Sequence, residues 1–251
     1  MRQPVHKPAS GISLKIACST CNLRDLCLPI DLTDAEMARL DELITRKSTC
    51  RRGASLYRSG DKFHALYAIR TGFFKTQILH EDGHEQVTGF QMAGEIIGMD
   101  AISNDTHACD AVALQDSEVC EIPFNRLEEL SRELPSLQHH LHRILSREIV
   151  RDQGIMLLLG SMYAEERLAT FLLNLSQRFA ARGYSPTSFQ LHMTRQEIGS
   201  YIGLKLETVS RTLSLFRKEG VISISNRSLE ILNPTKLRTL VGLPPPDNLQ
   251  G

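Results

Sequence analysis

Residues 194–220 read TRQEIGSYIGLKLETVSRTLSLFRKEG. Thr194 followed by Glu197 is a capping box, in which each residue satisfies an orphan donor at a helix start. Gly199 stands four residues before Gly203, and Val209 follows six residues after it. A small residue lets two helices approach, a glycine permits the tight turn between them, and a valine fills the gap. That spacing predicts a helix-turn-helix, with Ile198, Ile202, Leu204, Leu213 and Phe216 as its apolar faces. Its second helix presents Glu207, Ser210 and Arg211 near its N-terminal half. An arginine can fork onto guanine O6 and N7, a carboxylate can accept from cytosine N4, and a serine can bond a base or a phosphate. After Gly220, the segment VISISNRSLEILN gives two β runs around Asn226, a wing with Arg227 available to phosphate. A plain αα-hairpin is the competing reading; the capping box, the glycine spacing and the wing together favour DNA.

Upstream, a helical pattern covers about residues 162–182 and ends at Arg182-Gly183. A turn at Tyr184-Ser185-Pro186 then leads to a short strand, Phe189–Met193. Before that, Pro135 precedes a long helix from Ser136 to Gly160, about 37 Å at 1.5 Å per residue. His142, Leu145, Ile149, Asp152, Met156 and Leu159 recur along it at alternating intervals of 3 and 4, a coiled-coil seam. Leu141, Ile144, Ile155, Leu157 and Leu158 supply a second apolar face, so one face can pack on the preceding domain and the other on a partner helix. Asp152 is the exception in the seam. In a symmetric pair two such carboxylates approach each other and oppose association, unless each pairs with Arg147 or Arg151.

From about 50 to 122 the texture changes. ALYAI, FFKTQIL, QVTGFQM and VCEIPF alternate with turn signals, among them Asp82-Gly83, a strong hairpin marker. Strands at roughly ten-residue spacing predict an antiparallel roll or sandwich. A helix starts at Thr33, whose capping-box partner is Glu36, and a short one opens at Pro123.

The N-terminal tail holds Cys18-x2-Cys21-x5-Cys27. Three clustered thiols, with a fourth from Cys120 or Cys109, can cage a tetrahedral zinc or a cubane iron–sulfur cluster. Spacing alone does not separate the two. A thiol–disulfide enzyme using Cys18 and Cys21 would need a thioredoxin-like context that the flanks lack. No nucleophile–base arrangement stands out, so catalysis is not expected.

These motifs together resemble the Crp/Fnr family of bacterial transcription regulators, and specifically its oxygen-responsive Fnr branch. The likeness runs over about residues 15–240, through CSTCNLRDLCLPI, SLYAIRTGFFK, EQVTGFQMAGEIIGMDAI, VCEIPF, DQGIMLLL and AEERLATFLLNLSQRFAARG, into the helix-turn-helix. The resemblance implies an α+β fold. A tail with the cysteine loop (1–28) precedes a cyclic-nucleotide-binding-like antiparallel β-roll (29–134), a dimerisation helix (135–160) and a winged helix-turn-helix domain (161–251). It implies Cys18, Cys21, Cys27 and Cys120 as ligands of a [4Fe–4S] cluster, with Cys50 and Cys109 structural. In the branch, the cluster persists without oxygen and promotes dimerisation; oxygen converts it towards [2Fe–2S] and the dimer falls apart. Asp152 is then the repulsive element that opposes association until the cluster is intact. Glu207, Ser210 and Arg211 would read a TTGAT-type half-site in an inverted repeat of double-stranded DNA. Contacts with RNA polymerase map to the hairpin at Asp82 and Gly83 and to the surface around Thr71, Asp116 and Arg182.

Two departures stand out. The loop between Cys21 and Cys27 is NLRDL, and His142 takes a seam position where an apolar residue is expected, which would weaken the dimer or make it pH-sensitive. Two rivals on the same fold remain. A cyclic-nucleotide site is disfavoured because no arginine stands near Ala108 to meet a phosphate. A structural zinc would give a dimer regardless of oxygen.

The 251 residues suffice for two domains, and a hydrophobic content of 41% suffices for their cores. No apolar run approaches the ~20 residues of a membrane helix, and the N-terminus has no signal-like apolar stretch; a cytoplasmic protein is expected. The net charge is zero, yet residues 160–251 carry 11 basic and 7 acidic side chains, a balance of +4, and the rest carry 18 and 22. Neutrality is thus a sum over an acidic half and a mildly basic, DNA-reading half.

Overall fold

A computed structural model describes residues 18–23, 26–27, 32–44, 46–79, 83 and 85–244. The first helix, α1 (Asp34–Leu43), starts at the Thr33–Glu36 capping box, with both reciprocal bonds formed. The strands β1 (Arg46–Cys50), β2 (Ser55–Tyr57), β3 (Ala65–Thr71), β4 (Phe73–Leu79), β5 (Glu85–Met92), β6 (Ile96–Ile97), β7 (Asp110–Ala113) and β8 (Ser117–Pro123) follow. They make two antiparallel four-stranded sheets, ordered β1-β8-β3-β6 and β2-β7-β4-β5. β4 pairs with β5 from Phe73↔Met92 to Leu79↔Glu85, across the segment containing Asp82-Gly83. Gly83 has φ +83°, the conformation that favours glycine in such a tip. Asp82 itself lies outside the described residues.

Next come α2 (Phe124–Glu133) and α3 (Pro135–Ser161), a helix of 27 residues with its proline in the first turn. That proline needs no intrahelical partner there, so the helix begins one residue before the periodic pattern. Leu137, His140 and Leu158 are the side chains of α3 that are buried. Leu141 and Ile144 pack partly against the core beneath α1 and α2. Leu157 departs from expectation: it is 62% exposed, because Leu158 takes the inward position and each residue is turned about 100° from the next.

The C-terminal unit comprises α4 (Ala164–Ala180), β9 (Ser188–Gln190), α5 (Arg195–Ile202), α6 (Leu206–Lys218), β10 (Ile222–Ser225), β11 (Ser228–Ile231) and α7 (Pro234–Leu240). The strand expected at 189–193 is shorter and starts one residue earlier, its length set by pairing with Ser228–Glu230 of β11.

Roll and C-terminal unit share one hydrophobic cluster. Phe73, Val87, Phe90 and Met92 of the roll lie in it beside Leu168, Phe171, Leu172, Ile198 and Ile202. No helix among the described residues is long and apolar enough to cross a membrane.

Candidate functional site

Three places carry chemistry. The first is a small cavity of about 30 Å³, lined by Cys18, Cys21, Cys27 and Cys120 together with Leu23, Ile44, Ala68, Ile69, Arg70 and Ile122. The loop before α1 brings three of these thiols, and β8 brings the fourth through its register with β3, Cys120 facing Ala68. Cys18 is anchored by its backbone N–H, donated to Asp41 of α1, and the Ser19 hydroxyl donates to the same carboxylate at 2.8 Å. Burial raises the Cys18 thiol well above its ordinary range, and the neighbouring Cys27, Asp41, Cys120 and Cys21 raise it further. Burial likewise raises Cys120. Thiolates gathered here therefore need a cation to offset their mutual repulsion. Among the described residues no three His, Cys, Asp or Glu side chains stand at separations suited to one metal ion.

Cys50 and Cys109 belong to a different hydrophobic cluster, with Tyr57, Phe74 and Val119. Burial, with help from Asp100, pushes the Cys109 thiol up to about 12. None of the six cysteines is in a disulfide. Nothing in the sequence pointed to His140. Its Nε2 donates to the Cys27 carbonyl at 2.9 Å, which ties the cysteine loop directly to α3.

The second place is the outer face of α3. Ile149 is 58% exposed and Met156 65%; His142, Leu145, Asp152 and Leu159 are exposed as well. Arg151 is held by Glu148, and no ion pair holds Asp152 among the described residues. Between this face and the roll lies an open cavity of about 450 Å³ whose lining includes Tyr57, Gln91, Met99, Asp100, Cys109 and Asp152. Asp100 accepts the Ala108 N–H at 2.8 Å, so a carboxylate sits at the backbone that would have to greet a phosphate. The charges lining this cavity are Asp100, Glu148 and Asp152 against Arg151 alone. That is poor chemistry for a cyclic nucleotide.

The third place is the helix-turn-helix. α5 starts at a fully formed Thr194–Glu197 capping box and ends at Gly203, φ +66°. A Cβ on Gly199 would stand 2.4 Å from the Leu204 carbonyl oxygen and 3.4 Å from Val209, which is the close approach the spacing predicts. On α6, Glu207 and Arg211 are exposed and outside any ion pair among the described residues. The Ser210 hydroxyl accepts from the Arg195 guanidinium at 3.3 Å. The wing, β10 and β11, turns at Asn226 with φ +54°, leaving Arg227 exposed.

Thr71, Gly83 and Asp116 are at the surface, Asp116 accepting the Arg52 N–H at 2.9 Å. Arg182 lines an open cavity together with Thr71, but its guanidinium is turned inward. Its side chain is 5% exposed, and it donates to Glu95 at 2.6 Å and to the Ala93 carbonyl at 2.5 Å. A carboxylate in the turn between β5 and β6 captures the guanidinium, so Arg182 shapes that surface from beneath.

A roll, a long exposed helix and a winged helix-turn-helix define a DNA-binding transcription regulator. Family models agree: a cyclic nucleotide-binding domain matches residues 47–133 and a Crp-like helix-turn-helix domain residues 166–240. The chain is 46% identical over 231 residues to the fumarate and nitrate reduction regulatory protein of Yersinia pestis, with 92% of each chain covered. It is 45% identical over 227 residues to that of Escherichia coli strain K12, covering 90% of this chain and 91% of the other. Among solved structures, FixK2 from Bradyrhizobium japonicum matches with a TM-score of 0.72 and 30% identity, covering 78% of this chain and 96% of that one. The chain belongs to the Fnr branch of the Crp/Fnr family of transcription regulators, which are not enzymes.

Proposed function

We propose that the chain is an oxygen-responsive homodimeric regulator, working in the cytoplasm, in which Cys18, Cys21, Cys27 and Cys120 hold a [4Fe–4S] cluster. The observation that carries this reading is the single cavity lined by those four thiols and by neither Cys50 nor Cys109. A donor set of four thiolates with apolar walls suits the cluster. When bound, the cluster supplies an oxygen-labile cross-link between the N-terminal loop and β8.

The rest belongs to the chain's own residues. Cys18 and Cys120 lie in the same core as Leu127 and Leu130 of α2 and Leu137 of α3 itself. The Cys27–His140 bond adds a direct tie. A seated loop therefore steadies the N-terminal half of α3, and its exposed stripe pairs with that of a second chain. Asp152 opposes this pairing, which keeps the dimer conditional. The dimer presents two α6 helices to an inverted repeat of TTGAT-type half-sites in double-stranded DNA, with Glu207, Ser210 and Arg211 at the base edges. Thr71, Asp116 and the hairpin at Asp82 and Gly83 form the face toward RNA polymerase.

A structural zinc is the second reading, since the same four thiols suit it chemically. Zinc draws its thiolates around one ion, whereas a cubane binds each at a separate iron, so the two differ in metal content, sulfide and colour. The test is iron and sulfide content with oligomeric state, anaerobically and after air. Brown protein that is dimeric only before air is expected; a dimer that survives loss of iron unchanged, or a colourless zinc-loaded protein, overturns the reading.

A further inference from the structure

The turn Ala93-Gly94-Glu95, between β5 and β6, touches both the cysteine loop and the C-terminal unit. On one side the cysteine loop lies against it. A Cβ on Gly94, φ +87°, would stand 3.0 Å from Leu26 Cβ and 3.8 Å from Leu23 Cδ2. The same turn is bonded to β3 at the wall of the cysteine cavity: the Gly94 N–H donates to the Ile69 carbonyl at 2.8 Å and the Ile69 N–H to the Glu95 carbonyl at 2.9 Å. On the other side, the Glu95 carboxylate accepts from Arg178 at 2.6 and 3.0 Å and from Arg182 at 2.6 Å. Both arginines belong to the C-terminal end of α4 and the turn after it, and both also donate to roll carbonyls, Arg178 to Phe90 and Arg182 to Ala93.

We propose that this turn is a coupler: the seating of Leu23 and Leu26 on Gly94 sets the grip of Glu95 on Arg178 and Arg182, and so the docking of the DNA-binding domain on the roll. The charge of Arg151 on α3 also reaches Glu95, but the route runs through Glu95 and not through the Cys27–His140 bond. It makes the cysteine loop act twice, on dimerisation through His140 and α3, and on domain placement through Gly94 and Glu95. The glycine is what allows the first contact, since a side chain there would occupy the space that Leu26 fills. The carboxylate is what makes the second contact stiff, because two forked guanidiniums converge on it with little freedom to slide.

The coupling rests on the reading that the cluster seats the loop, but its mechanical part is testable apart from it. Peptide-level hydrogen exchange across residues 164–183 reads the docking in the full-length chain. Leu26→Ala, Leu23→Ala and Glu95→Gln are compared with wild type, both as loaded with iron and sulfide and after removal of the metal by chelation. We expect each loop variant that retains wild-type iron content to raise exchange at the end of α4 several-fold, as Glu95→Gln does. The double variant Leu26→Ala with Glu95→Gln is then no more labile than the more labile single one. Unchanged α4 exchange in both loop variants, or fully additive effects in the double variant, overturns the coupling. Wild-type protein that never takes up iron removes the cluster reading instead, and the comparison in metal-free protein still decides the coupling by the same two outcomes.

Discussion

Arg151 pairs with Glu148, one turn back on α3, and is thereby withheld from Asp152. The seam carboxylate stands without a local counterion among the described residues, on the face that carries Ile149 and Met156. Two such charges at an effective dielectric near 20 repel by up to a few kcal/mol at close range. Asp152→Ala is therefore expected to tighten self-association of the metal-free protein by about ten- to a hundredfold, ~1.4–2.8 kcal/mol. Sedimentation of the chelated variant checks this, and an unchanged monomer removes Asp152 from the switch.

The four cavity thiols should behave unlike the other two. Cys27→Ser and Cys120→Ser are expected to lose nearly all iron and sulfide. Cys50→Ala and Cys109→Ala are expected to keep wild-type content, since both lie in another cluster of the roll. Iron loss in the latter pair, in protein that remains folded by circular dichroism, would redraw the ligand set.

Glu95→Gln removes the carboxylate on which Arg178 and Arg182 converge. Burial alone would raise the Glu95 carboxyl, but the two guanidiniums more than offset it and hold the group below its ordinary range. Its contribution is thus complete above the ordinary glutamate value of about 4.3 and is lost as pH falls through the lower folded value. Breaking such a largely buried pair costs about 3 kcal/mol. Urea unfolding should show that difference unchanged between pH 8 and pH 5, and shrinking as the pH drops below the ordinary glutamate range.

Gly199→Ala places a methyl against the Leu204 carbonyl, a backbone atom that cannot step aside. Overpacking of this kind costs about 1–3 kcal/mol. Thermal unfolding should show a lower Tm, and DNA affinity should fall with it because the angle between α5 and α6 opens.

Arg211→Ala should cost about 1–3 kcal/mol of binding to the preferred half-site and little on unrelated DNA. Arg227→Ala, on the wing, should weaken both alike and reduce the salt dependence by about one charge. Titrations on matched and scrambled duplexes at two salt concentrations separate the two. Equal losses for both variants on both duplexes would argue against base reading by α6.

Local features were legible because their causes are local. The two capping boxes, the left-handed Gly203 and the Gly199–Leu204 approach each depend on residues within a turn or two of each other. The heptad pattern of α3 marked a face that is indeed exposed, because an apolar stripe that its own core leaves uncovered still keeps its period in the sequence. Leu157 broke the pattern since an apolar run of five offers more candidates than one inward face can take. What escaped reading is long-range. Glu95 is 83 residues from Arg178, and His140 is 113 from Cys27. No periodicity announces such pairs. The same holds for Lys75, a nearly buried lysine of β4 that meets the capping residue Glu197 at 3.0 Å.

The cluster that joins Phe73, Val87, Phe90 and Met92 to Leu168, Phe171, Ile198 and Ile202 bears on how such proteins can be recombined. A chimera cut at the end of α3 looks modular on a linear map. It would graft a foreign reading head onto one half of a shared interior, leaving mismatched surfaces where side chains now interlock. Swaps that preserve function should instead carry the outer face of β5 along with the head, so the heritable unit for exchanging DNA specificity is larger than the segment that touches DNA.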